Sequence, residues 1–331
     1  MSRLTQFGNA LYTGERSFDF VGKRLLWYSI GAAMVLLAIV VTVLRGGFVF
    51  GIEFRGGSEF RISEPPQVSE QIAVDTVNEV VGAASNPRVS IVGSDSIRVQ
   101  TEQLSDAETT ALRSDLADAY GVSVDQVTAS FIGASWGQDI TRQALIGLAV
   151  FLALVSLVMA AYFRTWKMSV AALVALVHDL VITAGIYGVL GYEVTPAAVI
   201  GVLTILGYSL YDTVVVFDKI RENTSEDGEE SRRTFAESVN LAVNQTLVRS
   251  INTSVVAVLP VAAILFIGSV LLGAGTLRDI ALALFIGIIA GTYSSVFIAA
   301  PLYVHLRENE PEHKKQGRKV KQARPTSGAV R

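Results

Sequence analysis

The stretch GYSLYDTVVVFDKIREN, residues 207–223, places a carboxylate inside a long apolar run. The run begins near residue 196 and is long enough to cross a bilayer as a helix, since a span needs about 20 residues. Asp212 lies past its middle, within the apolar part. An ionised side chain at mid-bilayer costs roughly 2.5–3.5 kcal/mol on insertion scales. The carboxylate therefore needs either a structural or a functional explanation.

The composition of the whole chain is that of an integral membrane protein. Its 331 residues are 51% hydrophobic and 17% charged, which is too apolar for an ordinary soluble protein of this length. There are no cysteines and only three histidines, so we expect no disulfide, no metal centre and no other cofactor. No G-x-x-x-x-G-K-[ST] motif occurs. We therefore predict no ATPase site and no enzyme activity.

Six apolar segments are long enough to span a membrane. We number them spans 1 to 6 and place them at 25–44, 142–163, 168–190, 196–218, 248–270 and 279–304. Spans 2 to 6 fill the region 141–304 except for a loop at 219–247. A segment 1–24 precedes the spans, and a basic tail, 305–331, follows them. The tail is polar, so we predict that it is disordered.

The polar segment 45–140, between spans 1 and 2, alternates between strand and helix patterns. Strand patterns occur at 58–63, 88–92, 96–100 and 126–132, and helical patterns at 67–83 and 105–120. The order βαββαβ is the ferredoxin-like arrangement. The predicted fold is therefore a polytopic α-helical membrane protein with a small α+β ferredoxin-like domain inserted between its first two spans.

Short motifs add local detail to this domain. Ser105 followed by Glu108 is the signature of a helix capping box. The glycine motifs GIEFRGG (51–57) and IGASWGQDI (132–140) border the domain. We predict sharp turns there, because glycine adopts conformations that other residues avoid.

The distribution of lysine and arginine predicts the orientation in the membrane. These residues are concentrated before span 1, between spans 2 and 3, after span 4 and in the tail, whereas the short segments 191–195 and 268–276 contain none. By the positive-inside rule both termini are cytoplasmic and the domain 45–140 is extracytoplasmic. We interpret the acidic stretch 222–230 as a solvated linker.

Ionisable residues inside the spans are the candidate functional residues. Asp212 lies in span 4, Arg249 near the start of span 5, and His178 and Asp179 in the middle of span 3. Thr204, Tyr208 and Asp212 recur every four residues, which predicts a shared polar face. On span 5, Asn252 extends the face of Arg249. We expect Asp212 and Arg249 to lie at similar depth on facing helices.

The chemistry of Asp212 and Arg249 is complementary. Arginine stays protonated, whereas a buried aspartate titrates under the opposing influences of desolvation and a nearby guanidinium. We interpret the two residues as a proton relay. The alternative is a static buried pair that fixes the packing of the helices.

Two further groups of residues take part in the relay or in packing. The first comprises His178, Asp179, Tyr208 and Asn252. Neighbouring residues point about 100° apart on a helix, so we expect that His178 and Asp179 do not join one site. The second group recurs every four residues in span 6, which predicts close helix packing: Gly287, Gly291 and Ser295.

Four motifs carry a resemblance to a known family: GIEFRGG, GYSLYDTVVVFDKIREN, NQTLVRSINTS (244–254) and ALALFIGIIAGTYSSVFIAAPL (281–302). Together they resemble the SecF subunits of the bacterial Sec preprotein translocase, in the SecD/SecF family. The first motif is shared with the sister subunit SecD. The chain has Glu53 and Ala134 where the family usually has aspartate and proline. Both departures concern turns outside the membrane.

The resemblance implies a function and a set of partners. It implies an obligate pair with SecD, similar to resistance-nodulation-division exporters, in the bacterial cytoplasmic membrane. The pair associates with the SecYEG channel and uses the proton gradient to pull the preprotein after SecA has pushed it. Asp212 and Arg249 match the family's relay residues, and an aspartate of SecD completes the path. The resemblance leaves the membrane insertase open as a further partner, and no nucleic acid is expected.

Two other functions remain open at this point. The chain could be half of an exporter of lipids or drugs, which predicts a large apolar pocket in the inserted domain. It could also be a passive scaffold of the translocon, which predicts that replacing Asp212 leaves function intact.

Overall fold

The computed structural model describes residues 3–82, 87–92, 95–225, 233–268 and 275–323. Within these ranges six helices are long and apolar enough to cross a membrane, which confirms the predicted polytopic class. The α-helical parts of spans 1 to 6 are Arg24–Leu44, Ala134–Phe163, Trp166–Leu190, Pro196–Ser225, Phe235–Ala263 and Gly275–Ser294. Span 5 continues through a π-helical turn, Ile264–Gly268, and span 6 through a second one, Ser295–Ala299, into Ala300–Arg307.

The predicted loop 219–247 is largely helical, because spans 4 and 5 extend beyond their apolar parts. Span 4 ends at Ser225 and span 5 begins at Phe235, where Thr234 forms a capping box with Glu237. Parts of the predicted segments 222–230 and 268–276 lie outside the described residues.

Spans 3, 4 and 6 form the centre of the bundle. Their apolar stretches are the most buried, whereas spans 1, 2 and 5 are largely exposed at the periphery. The core between them is made of aromatic, aliphatic and alanine side chains, including Leu176, Leu206, Phe217 and Tyr303. The first and last described helices, Arg3–Thr13 and Pro311–Ala323, both contact span 5 at one end of the bundle, which we call the terminal side. The opposite end, which carries the inserted domain, is the domain side.

The inserted domain has the predicted ferredoxin-like topology. Its sheet contains β2 (Gly57–Ser63), β3 (Arg88–Val92), β4 (Ser96–Thr101) and β5 (Val127–Ile132) in the order β3-β4-β2-β5, with antiparallel pairing throughout. The helices Glu70–Val80 and Asp106–Tyr120 connect the strands.

The core of the domain follows from residue periodicity. Phe60 and Ile62 alternate along β2 with side chains on the other face, and both are fully buried against Leu112 and Leu116 of the second helix. The capping box of Ser105 and Glu108 is present as predicted, with reciprocal hydrogen bonds at the start of that helix.

The junction between domain and membrane has the predicted sharp turn at the end of GIEFRGG, where Gly56 and Gly57 adopt positive φ angles of 77° and 142°, but helices replace the predicted turns elsewhere. Residues 52–55 form a short helix, and span 2 begins as a helix at Ala134 instead of after a turn. A Cβ at Gly137 would collide with the carbonyl oxygen of Phe54, so the glycine permits the close approach of the two helices. In addition, β1 (Val49–Phe50) pairs in parallel with β6 (Glu193–Val194), which ties the domain to the connection between spans 3 and 4.

The tail is not disordered over its described part, contrary to the prediction. It forms a helix, Pro311–Ala323, in which Val320 is buried. The ring of His313 stacks on Phe235 at a centroid distance of 3.9 Å. These few contacts hold the helix against span 5. They could not be predicted from the polar composition of the tail.

The segment before span 1 is also held by side chains. A helix, Arg3–Thr13, buries Leu11. After it, the backbone N–H groups of Phe18 and Phe20 donate to the amide oxygens of Asn244 and Asn240, at 2.8 and 2.9 Å. Span 5 therefore anchors the N-terminal segment.

Candidate functional site

Small residues bring spans 4 and 6 together at the site. A Cβ at Gly287 would collide with the side chain of Ile205, and one at Gly291 would lie 2.9 Å from the Cβ of Ser209. Such close helix approach is what small residues at four-residue spacing allow in a membrane. One turn further along span 6, Ser295 reaches the carboxyl group of Asp212.

Asp212 is enclosed by spans 4, 5 and 6. Only 4% of the residue is exposed. The hydroxyl of Ser250 donates to Oδ1 at 2.8 Å, and the hydroxyl of Ser295 donates to Oδ2 at 2.5 Å. No ion pair involves Asp212 among the residues that the structure describes. The carboxyl group is held by hydroxyl groups on two neighbouring helices.

Arg249 does not pair with Asp212, and this part of the prediction was wrong. Its guanidinium Nη2 lies 3.4 Å from the hydroxyl of Tyr211 on an exposed face of the bundle. Arg249 does lie at a depth similar to that of Asp212, as predicted, because the adjacent Ser250 contacts Asp212. Successive residues are rotated by about 100° around a helix, so Arg249 points away when Ser250 points inward.

The predicted polar stripe of span 4 does not form a single face. Thr204 is exposed, and its hydroxyl donates to the carbonyl of Ile200 at 2.7 Å. The hydroxyl of Tyr208 is buried without a hydrogen-bond partner among the described residues. A helix rotates by about 100° per residue, so the eight residues from Thr204 to Asp212 make two whole turns plus about 80°. The two side chains therefore point in different directions. Asn252, on span 5, is exposed together with Arg249.

Asp179 forms a second buried carboxyl site, between spans 3, 4 and 6. Only 1% of the residue is exposed. The hydroxyls of Ser209 and Ser294 donate to its Oδ2, at 2.5 and 2.7 Å. His178 Nδ1 lies 3.1 Å from its Oδ1. The expectation that His178 and Asp179 cannot join one site was wrong, because the imidazole turns back toward the carboxyl group although the two Cβ atoms point apart.

Adjacent serines of span 6 thus serve two different carboxyl groups. Ser294 ends the regular helix and contacts Asp179, whereas Ser295 begins the π-helical turn and contacts Asp212. π-helical turns within α-helices occur frequently at functional sites. Ser250 and Ser294 were not predicted as site residues. Serines in apolar spans are nevertheless a usable sequence signal where a carboxylate lies at a similar depth.

Hydroxyl partners give both sites a specific chemical property. A serine hydroxyl can donate a hydrogen bond and can also accept one. It can therefore donate to an ionised carboxylate or accept from a protonated carboxylic acid. Each of the two sites can hold a carboxyl group in either protonation state.

The family described as "Protein export membrane protein SecD/SecF, C-terminal" matches residues 113–309, which is more than half of the chain. The chain belongs to the SecD/SecF family. Within this family it is similar to the SecF subunits. It is 45% identical to the protein translocase subunit SecF of Streptomyces coelicolor, over 97% of this chain and 85% of that protein. The resemblance inferred from the sequence motifs is thereby confirmed.

Fused SecDF proteins contain a region similar to this SecF-type chain. Identity to the Thermus thermophilus protein translocase subunit SecDF is 33%, over 87% of this chain and 38% of that protein. The crystal structure of SecDF from the same genus and species superposes with a TM-score of 0.78 at 31% identity. The match covers 89% of this chain and 39% of the SecDF chain. The chain therefore spans about two fifths of the SecDF proteins that it matches.

Proposed function

We propose that this chain is the SecF half of a proton-driven unit that works with SecD to promote late-stage protein translocation across the cytoplasmic membrane. Its membership of the SecD/SecF family supports a role in the translocase. The observation that carries the proton-driven part is the carboxyl group of Asp212, buried in the membrane among hydroxyl groups. An ionisable group at such a position is by default a candidate for proton transfer.

In the proposed mechanism, Asp212 gains and loses a proton while it stays enclosed by helices. The ionised form accepts hydrogen bonds from Ser250 and Ser295, and the neutral form donates one of them in return. Each exchange alters how span 4 holds the π-helical turn of span 6. The membrane supplies sufficient energy, since one charge crossing 100 mV provides about 2.3 kcal/mol.

Arg249 faces the partner half in this proposal. The guanidinium lies on an exposed face beside Tyr211, and Asn252, Val256 and Leu259 continue that face along span 5. A permanently charged arginine does not face lipid at low cost. SecD is therefore proposed to cover this face and to supply an aspartate to the proton path. The fused SecDF relatives, in which a longer chain includes a region like this one, support such a partner.

The proposed assembly also includes the SecYEG channel and the translocating preprotein, with SecA acting at an earlier stage. The terminal side is proposed to be cytoplasmic and the inserted domain extracytoplasmic. The distribution of lysine and arginine supports this orientation. The membrane insertase remains open as a further partner. The alternative of a lipid or drug exporter half is not favoured, because the similar proteins are named translocase subunits.

The test of the proposal is Asp212→Asn in membrane vesicles that contain the whole translocase. We expect the proton-dependent late stage of translocation to be lost, while assembly and SecA-driven initiation survive. Asp218→Asn is the matched control, because Asp218 is an exposed residue six positions further along the same span. Normal export by the Asp212→Asn variant would contradict the relay and favour a passive scaffold.

Arg249→Met tests the proposed interface. Removal of the charge should uncouple proton flow from export without preventing membrane insertion. If the variant is instead degraded, Arg249 has a structural role and its part in the relay is wrong.

A further inference from the structure

His178 connects the buried Asp179 site to a crevice between spans 1, 3 and 6. The crevice has a volume of about 370 Å³, and its lining includes Tyr28, Gly31, Val35, His178 and Ile298. His178 is 8% exposed, and its Nε2 atom has no hydrogen-bond partner among the described residues. The buried hydroxyl of Tyr28, in the same crevice, also lacks one. The rest of the lining is almost entirely apolar, and the two polar atoms lie buried beside the crevice, where a donor or acceptor without a partner points to a bound water molecule.

The surroundings of the pair contain few other charged or titratable groups. Span 1 contributes Tyr28, and span 6 contributes Tyr293, whose ring lies 5.8 Å from the imidazole and whose hydroxyl donates to the carbonyl of Trp27. From span 4, Ser209 contacts Asp179. No lysine or arginine forms an ion pair with Asp179 within the described ranges. His178 is thus the one basic group in contact with this carboxyl group there.

We propose that Asp179 is a second proton-exchanging carboxyl group, reached from the crevice through His178 and coupled to Asp212 through Ser294 and Ser295. The proposal extends the proposed function by adding a second site within the same chain.

The proton transfer balances without any further reactant. With the proton of the neutral imidazole on Nδ1, that N–H donates to Asp179 Oδ1, and the lone pair of Nε2 lies buried beside the crevice. A proton delivered to Nε2 by a hydronium ion, which becomes a water molecule, is matched by the release of the Nδ1 proton to Oδ1. The imidazole remains neutral in its other tautomer, and the carboxylate becomes a carboxylic acid. The reverse transfer returns the proton to the crevice.

The coupling between the two carboxyl groups follows from their shared helices. Ser209 and Asp212 lie three residues apart on span 4, and Ser209 contacts Asp179. On span 6, Ser294 and Ser295 are adjacent and contact the two different carboxyl groups. Neutralisation of Asp179 changes which group donates in its hydrogen bonds with Ser209 and Ser294. The resulting shift acts on the same turn of span 6 that holds Asp212.

Infrared difference spectroscopy of the chain purified with its SecD partner in lipid nanodiscs tests the proposal. The measured quantity is the carboxyl C=O stretching band as a function of pH. We expect Asp179→Asn to remove one pH-dependent band, and His178→Gln to displace the midpoint of that band by about one pH unit, the size of a strong site–site interaction. A pH-dependent spectrum that Asp179→Asn leaves unchanged would overturn the proposal.

Two adjacent serines provide a matched pair of variants that keep both carboxyl groups. Ser294→Ala should displace the midpoint of the Asp179 band, and Ser295→Ala that of the Asp212 band, each by about one pH unit because a hydrogen bond to a charged group is lost. Coupling predicts that Asp179→Asn also displaces the Asp212 band. If Asp179→Asn leaves the midpoint of the Asp212 band unchanged, the coupling is overturned. These spectra do not measure translocation, so failure here is distinct from failure of the proposed function.

Discussion

Glu310 and Asp212 are both hydrogen-bonded carboxyl groups close to span 6, but their partners differ in kind. Glu310, on the terminal side just beyond the span, is contacted by Lys167 Nζ at 2.7 Å and by Arg307 Nη2 at 2.8 Å. Burial by itself raises the pKa of Glu310, but its bonds to Arg307 and Lys167 outweigh this and lower the pKa to about 2. Asp212, inside the membrane, is contacted by the hydroxyls of Ser250 and Ser295.

The difference is the basis of the proposal that one carboxyl group stays ionised while the other exchanges its proton. Arginine and lysine side chains can only donate hydrogen bonds, so they favour the ionised carboxylate alone. Serine can donate or accept, so its hydrogen bond survives protonation of its partner with the donor reversed. A cation beside a carboxyl group therefore fixes its charge, whereas hydroxyl groups allow the charge to change.

Among variants that keep the buried carboxyl groups, the largest expected effect is on the double variant Ser250→Ala, Ser295→Ala. Each serine donates a hydrogen bond to the ionised form, and such bonds contribute about 1.5–3 kcal/mol. Loss of both should disturb proton exchange and reduce proton-dependent translocation in vesicles by more than about tenfold, since about 1.4 kcal/mol corresponds to a factor of ten. Ser29→Ala, in an exposed part of span 1, is the control. Unchanged translocation by the double variant would show that the hydroxyl groups do not matter.

The sequence was sufficient to predict the fold and to find Asp212, because both depend on patterns along the chain. Apolar length gave the six spans, and alternation and capping signals such as Ser105 and Glu108 gave the inserted domain. A carboxylate within an apolar span can likewise be recognised from the sequence alone. The tail helix was missed, because its contacts, such as that of His313 with Phe235, involve too few residues to alter the composition.

The partners of Asp212 could not be predicted, because they depend on the rotation of one helix relative to another. Ser250 and Arg249 are neighbours in the chain, but a rotation of about 100° decides which of them faces span 4. Arg249 has the opposite charge and was the obvious partner from the sequence. The structure places Ser250 there instead, which changes the chemistry from a charge pair to a hydroxyl-lined site.

A smaller effect is expected when spans 4 and 6 are forced apart. Gly287→Ala introduces a methyl group that collides with Ile205, and overpacking of this kind costs about 1–3 kcal/mol. The resulting loss of thermal stability should be measurable on the purified protein. Gly207→Ala is the matched control on span 4, because nothing lies within 4 Å of the added Cβ. Equal stability of the two variants would mean that the close approach near Asp212 is not rigid.

The smallest effect is expected for Glu310→Gln. The folded-state pKa of about 2 lies below the ordinary value of 4.5, so the ion pairs stabilise the protein above about pH 4.5 and their contribution is lost as the pH falls toward 2. The variant should lose up to about 1 kcal/mol near neutral pH, since the pairs are partly exposed. Thermal unfolding as a function of pH measures this. If the variant were instead as stable as the wild type at neutral pH and differed from it at low pH, the expected pH dependence of the stability difference would be contradicted.

The most direct test of the central claim is the protonation state of Asp212 itself. Carbon-13 NMR of labelled aspartate in the SecD–SecF pair in lipid, with Asp212→Asn to assign the signal, measures it as a function of pH. If hydroxyl groups leave the carboxyl group free to change, its signal should move between the ionised and neutral positions within the pH range over which the purified pair stays folded. A signal that stays at one position throughout that range would contradict the claim.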